Sequence, residues 1–156
     1  MPVTPIPSGY HTATPYLIVS DGPGAIEFYV RGLGATEISR EAAPDGHVMH
    51  AELRIGDSML MLGEHPGVNA PAPTPLPALS LYLHVEDADE LHRRAVAAGA
   101  RELSPVTTKF YGNREGGVED PFGVTWWIAT RVEDVPPEEL TRRVAVEMTR
   151  RERERE

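Results

Sequence analysis

Val48–Leu62, VMHAELRIGDSMLML, reads as two short strands joined at Ile55-Gly56-Asp57-Ser58. The first arm alternates, with Ala51, Leu53 and Ile55 on one face and His50, Glu52 and Arg54 on the other. A period of two marks a strand with one face on a core and the other on something wetter. The second arm, Ser58-Met59-Leu60-Met61-Leu62, is apolar on both faces, as expected of a strand covered on both sides. A similar unit returns 66 positions later: Gly123-Val124-Thr125-Trp126-Trp127-Ile128 stands to Asp57–Leu62 as the same turn and the same kind of strand. The chain is one module written twice.

Reading outward, alternation starts at Ala13 after a proline-containing arm, with Ala13, Pro15, Leu17 and Val19 on one face and Thr14, Tyr16 and Ile18 on the other. This reads as a first strand, which tolerates proline only near its start or on an edge. Asp21 offers a helix cap, Pro23 a first-turn residue, and Gly34 a stop, with Ile26, Tyr29, Val30 and Leu33 at helical spacing between them. Residues 35–40 read as a second strand. In the second copy, Leu79, Leu81, Leu83 and Val85 alternate with Ser80, Tyr82 and His84. Asp87 and Glu90 form a capping box, Leu91, Ala95 and Ala98 a narrow stripe, and Gly99 closes the helix. A third strand runs near Glu102–Thr107. Between the copies, 65–78 is so rich in proline that it reads as a semi-rigid linker or lid. The divisions are a module at 10–64, the linker 65–78, a module at 79–130 and a helical tail at 134–156. In that tail Pro136-Pro137-Glu138-Glu139 starts a helix with a Leu140, Val144, Met148 seam.

The balance of 24 acids against 15 bases gives a net charge of −9. The segment from Glu138 onward is neutral, so the whole deficit lies on residues 1–137. An acidic body with no basic stripe argues against nucleic acid or an anionic membrane as partner. No apolar run approaches the roughly 18 residues of a membrane span. MPVTPIPSGYHTATPY has neither the basic nor the apolar region of a secretory signal, and the chain has no cysteine. The expected location is cytoplasmic.

The repeat, with PYLIVSDGPGAIEFYVRGLGA and VEDPFGVTWWIAT, resembles the vicinal-oxygen-chelate superfamily, which includes glyoxalase I, bleomycin-resistance proteins and extradiol dioxygenases. The resemblance covers about residues 10 to 130. It implies an α+β fold, two tandem βαβββ modules forming a curved mixed sheet around a cavity, to which this chain adds a C-terminal helix. The cavity forms within one chain or between two subunits. The superfamily's metal positions, carried over by the repeat, fall on Thr14, Met61, Ser80 and Trp127. Two hydroxyls, a thioether and an indole are poor donors for an ion that needs about three to six imidazole or carboxylate ligands. The expectation is no metal and no cofactor.

If those four positions face inward, period two adds Tyr16, Ile18, Met59, Tyr82, His84 and Thr125. Such aromatic and methionine surfaces bind flat, partly apolar ligands. His50 and Glu52 share a strand face about 7 Å apart. They read as a base and its orienting partner, as two polar anchors, or as a solvent-facing pair. His84 is the second candidate base. Tyr111 and Arg114, in a glycine-flanked loop, read either as a pair that closes over the cavity and offers a donor fork to an anionic or carbonyl ligand, or as a turn held by its arginine. His11, His47, His65 and His92 fall in a terminus, turns and an outward helix position, with no role assigned.

The expectation is therefore a metal-independent, homodimeric protein that binds a small, partly aromatic or amphipathic ligand, in the manner of sequestration or resistance. The alternative is a metal-independent lyase or isomerase with His50 or His84 as general base. The tail helix is expected on a neighbouring subunit or on its own convex face.

Overall fold

In the computed structural model, the structure describes residues 7–11, 14–64 and 80–154, for 148, 151 and 152 the backbone alone. The proline-rich connection 65–78 and Leu79 lie outside the described residues. The first copy folds as β1 (Tyr16–Val19), α1 (Gly22–Leu33), β2 (Thr36–Ala42), β3 (Val48–Ile55) and β4 (Ser58–Glu64). The second folds as β5 (Leu81–His84), α2 (Ala88–Ala97), β6 (Arg101–Thr108), β7 (Asn113–Glu119) and β8 (Thr125–Arg131). Each copy makes a four-stranded sheet, in the orders β1-β4-β3-β2 and β5-β8-β7-β6. The first strand of each module pairs parallel with the last, and the other pairings are antiparallel.

Local chemistry accounts for the element ends. Asp21 accepts the Gly24 amide at 2.9 Å at the start of α1, and Gly34, at φ +71°, ends it in the left-handed conformation. Asp87 does the same for α2 by accepting the Glu90 amide at 2.9 Å. The expected capping box is only half made, because the Glu90 carboxylate pairs with Arg93 instead of reaching back. Two residues turn the β3–β4 hairpin, whereas residues 120–124 connect β7 to β8.

Both helices cover one face of the sheets. Leu17, Val19, Leu53, Leu60 and Leu62 point into this side in the first module, and Val118, Trp126 and Ile128 in the second, forming one continuous core. The modules are joined through the helices. Arg94 of α2 donates to the carbonyls of Val30 (3.1 Å) and Arg31 at the C-terminal end of α1, where carbonyls lack helical partners. Tyr29 of α1 reaches across to the second module, its ring 5.5 Å from that of Trp126 and its hydroxyl 2.8 Å from Asp120. His92, expected to face outward, is instead buried against β7, where a Cβ on Gly116 would come within 2.9 Å of its ring. The apolar stripe of α2 is too narrow to cover the sheet, and the imidazole completes it.

The tail forms α3 (Pro137–Arg153), starting at the two prolines as anticipated. Its position corrects the expectation of a seat on the chain's own convex face. Arg143 donates to the Phe110 carbonyl at 3.0 Å and grips Glu133 at 2.7 and 2.9 Å, which holds α3 over the helix-free face of the second sheet. Of the expected apolar seam, Leu140 is half-buried and Val144 exposed. Among the described residues no helix is long and apolar enough to cross a membrane.

Candidate functional site

Strand register lines up one row of side chains on the open face of each sheet. In the first module it runs Tyr16, Met61, Glu52, Ser39 across β1, β4, β3 and β2. In the second it runs Tyr82, Trp127, Gly117, Ser104. The two rows are equivalent under the repeat, and they set the chemistry of each face. Trp126 is 1% exposed in the core while Trp127 is half-buried on the open face, as the alternation of strand side chains requires. Gly117 makes room for the Trp127 indole, since a Cβ there would sit 2.8 Å from the ring.

On the first module, Tyr16, Ile18, Met61, His50 and Glu52 share the open face. The Tyr16 hydroxyl lies 3.2 Å from His50 Nδ1, with ring centroids 5.7 Å apart. His50 Nε2 is 3.9 Å from Glu52 Oε1, and Ser39 donates to Glu52 Oε2 at 3.2 Å. The nearby Tyr10 hydroxyl is the main reason the Glu52 carboxyl is held below the usual range, with Ser39 and His50 adding to the effect. The Tyr10 hydroxyl is in turn pushed up to about 12, by burial first and then by Glu52. Tyr16 and Ile18 are 48% and 47% exposed, so this face is open in the single chain.

On the second module, a cavity of about 740 Å³ lies between the open sheet face and α3. Trp127, Tyr111, Phe110 and Glu115 line its sheet side, and Arg143, Glu147 and Arg150 its helix side. Glu115 was not singled out in the sequence. It is 4% exposed and accepts hydroxyl hydrogen bonds from Tyr82 on one oxygen and Tyr111 on the other. Asn113 donates to the Tyr82 oxygen at 3.0 Å, and burial, then Glu115, pushes the Tyr82 hydroxyl up to about 12. His84 stands beside this group, its ring 5.0 Å from Tyr82. The repeat carried the missing signal. β7 is offset from β3 by 65 positions while β8 is offset from β4 by 66, so Glu115 occupies the place of His50 and Tyr82 that of Tyr16.

The remaining expected residues lie elsewhere. Thr14 and Met59 line a smaller pocket of about 200 Å³ where the two modules meet, with Leu81 and Leu83, and Tyr82 forms its edge. Ser80 is half-buried and Thr125 buried. Arg114 points to the helix side of β7, where its fork holds Asp89 of α2 at 2.6 Å through both nitrogens, away from the cavity. That bond holds the Asp89 carboxyl below its ordinary range. Thus the residues expected around one cavity divide among two sheet faces and a seam.

The donor chemistry at Thr14, Met61, Ser80 and Trp127 does not fit a divalent ion. Among the described residues no three histidine, aspartate or glutamate side chains gather as a ligand set. No step is assigned to a metal.

Comparison with known proteins agrees with this architecture. Residues 10–128 match the family model Glyoxalase/Bleomycin resistance protein/Dioxygenase superfamily. The chain is 35% identical over 133 residues to the Mycobacterium tuberculosis protein Rv0887c, covering 81% of this chain and 78% of that one. The structure is similar to protein PA1353 from Pseudomonas aeruginosa, with a TM-score of 0.62 and 26% identity over 79% of this chain and 99% of the other. TioX from Micromonospora sp. ML1 superposes with a TM-score of 0.58 and 25% identity, over 77% and 99% of the two chains. With two βαβββ units in the same strand order and a family match across both, the chain belongs to the Glyoxalase/Bleomycin resistance protein/Dioxygenase superfamily.

Proposed function

We propose that this protein binds a small, partly aromatic or amphipathic molecule without a metal, in the cavity between the second sheet and α3. The observation that carries the reading is the lining of that cavity: Trp127, Tyr111 and Phe110 offer stacking surfaces, and Glu115 offers a buried polar anchor. About 740 Å³ is within the range of roughly 300–1,000 Å³ typical of small-molecule sites. Trp127 gives the test its probe, because Trp126 is sealed in the core and serves as an internal control. An aromatic ligand should quench fluorescence in the wild type and lose most of that signal in Trp127→Phe. Trp127→Ala should weaken binding by about 1 to 3 kcal/mol. Undiminished quenching in Trp127→Phe would place the ligand elsewhere.

A second reading has its own support in the contact of His50 with both Tyr16 and Glu52. In that reading the protein is a metal-independent lyase or isomerase, with His50 as general base oriented by Glu52, or with His84 beside Tyr82 in that role. Replacing His50 by Ala would then lower turnover by roughly two to four orders of magnitude while leaving binding nearly intact. Altered affinity with no turnover to lose would leave the binding reading alone.

A further inference from the structure

The geometry points to a cationic group on the ligand, an ammonium or amidinium, seated against Glu115 beneath the aromatic walls of the cavity. This rests on the ligand-binding reading above and names the chemical class that the site selects. A carboxylate as desolvated as Glu115, 4% exposed, is ordinarily matched by a cation or a metal. Here its partners are two tyrosine hydroxyls, and among the described residues no cation forms an ion pair with it. A carboxylate has about four acceptor sites, so two remain after Tyr82 and Tyr111 are served.

The cations on the cavity wall are mostly committed elsewhere. Arg143 is held by Glu133 and Glu139, and Arg150 by Glu147 and Glu154. Lys109 lines the cavity and forms no ion pair among the described residues, so it is the rival group that an anionic ligand would meet. Around the carboxylate stand Trp127, Tyr111 and Phe110, whose ring faces attract cations as well as flat apolar bodies. The equivalent place in the first module holds His50, not a carboxylate, so the preference belongs to the second module's face.

The experiment compares three probes of one shape on the full-length protein by ligand-detected NMR titration: 2-phenylethylammonium, 2-phenylethanol and 3-phenylpropanoate. The expected result is about tenfold tighter binding of the ammonium than of the alcohol, with the carboxylate weakest. Glu115→Gln should bring the ammonium to within about twofold of the alcohol. Equal affinity for ammonium and alcohol in the wild type would overturn the inference while sparing the ligand-binding reading. Strongest binding of the carboxylate would overturn it in favour of Lys109. If none of the three bound at Trp127, the ligand-binding reading would fall and this inference with it. The wild-type ranking decides the matter even if Glu115→Gln proves unstable.

Discussion

Asp120 is 3% exposed and accepts four hydrogen bonds, from Tyr29 at 2.8 Å and from Trp126 and the Phe122 and Val124 amides at 2.9 Å each. It thereby fixes the β7–β8 turn, the core tryptophan and the helix of the other module at one point. Tyr29 and Trp126 share one carboxylate oxygen and the two amides share the other. An amide side chain, with a single acceptor oxygen, would turn its NH2 toward one pair of donors, so Asp120→Asn should cost about 1 to 3 kcal/mol in urea denaturation. Burial outweighs the four donors and raises the Asp120 pKa above its ordinary 3.8. The folded state therefore holds this proton to higher pH than the unfolded chain does. The advantage of the wild type over Asp120→Asn should be fullest below pH 3.8 and diminish as pH rises through the elevated value. An advantage that grew with pH across that window would show that the four donors, not burial, dominate.

Among the elements, α3 decides how open the cavity is. It is attached to the second module through Arg143, which bonds the Phe110 carbonyl and Glu133, while Glu147 and Arg150 face the cavity. These are largely exposed ion pairs, so they hold position more than they add stability. Truncation after Val135 should leave the two modules folded and make Trp127 markedly more accessible to acrylamide, with Trp126 still protected. Arg143→Ala should move the same readout part of the way with little change in melting temperature. Unaltered quenching in the truncated chain would mean that α3 does not cover the site. Arg114 provides the contrast. Its fork is closed on Asp89 at the start of α2, so Arg114→Ala should leave ligand affinity unchanged.

At the scale of the molecule, two open faces lie on separate sheets, and each exposes large apolar side chains among its polar ones. Tyr16 and Ile18 are 48% and 47% exposed on one, and Tyr82 is 43% exposed on the other. Clustered apolar exposure of this kind marks an interaction surface. A second copy laid over these faces would bury them, and sedimentation velocity should find a homodimer that Ile18→Asp shifts toward monomer. A monomer at all concentrations would overturn that expectation. Metal response is a property of the same scale, because an ion raises the melting temperature only by binding the native state. With hydroxyl, thioether and indole at the superfamily's metal positions, Zn, Ni, Mn or Fe should leave the melting temperature almost unchanged. A rise of several degrees, or one equivalent of tightly held metal, would count against the metal-free reading.

The sequence by itself determined whatever is written in short-range period or in the duplication. The two hairpins, the aspartate caps at Asp21 and Asp87, and the opposite faces of Trp126 and Trp127 all follow from alternation and local hydrogen bonding. Such features depend on neighbours within a few residues, so they are legible one segment at a time. Only the tertiary structure decided what depends on distant partners. Glu115 became the centre of the cavity through Tyr82, 33 residues away, and Arg114 was drawn to the other side by Asp89, 25 residues away. His92 was buried because α2 needed it to fill its contact with β7, and the tail helix was placed by one arginine finding a backbone carbonyl. Alternation can assign a side chain to a face of a strand. It cannot say whether the faces of two sheets join into one cavity, because that choice is made by packing between elements that the chain separates.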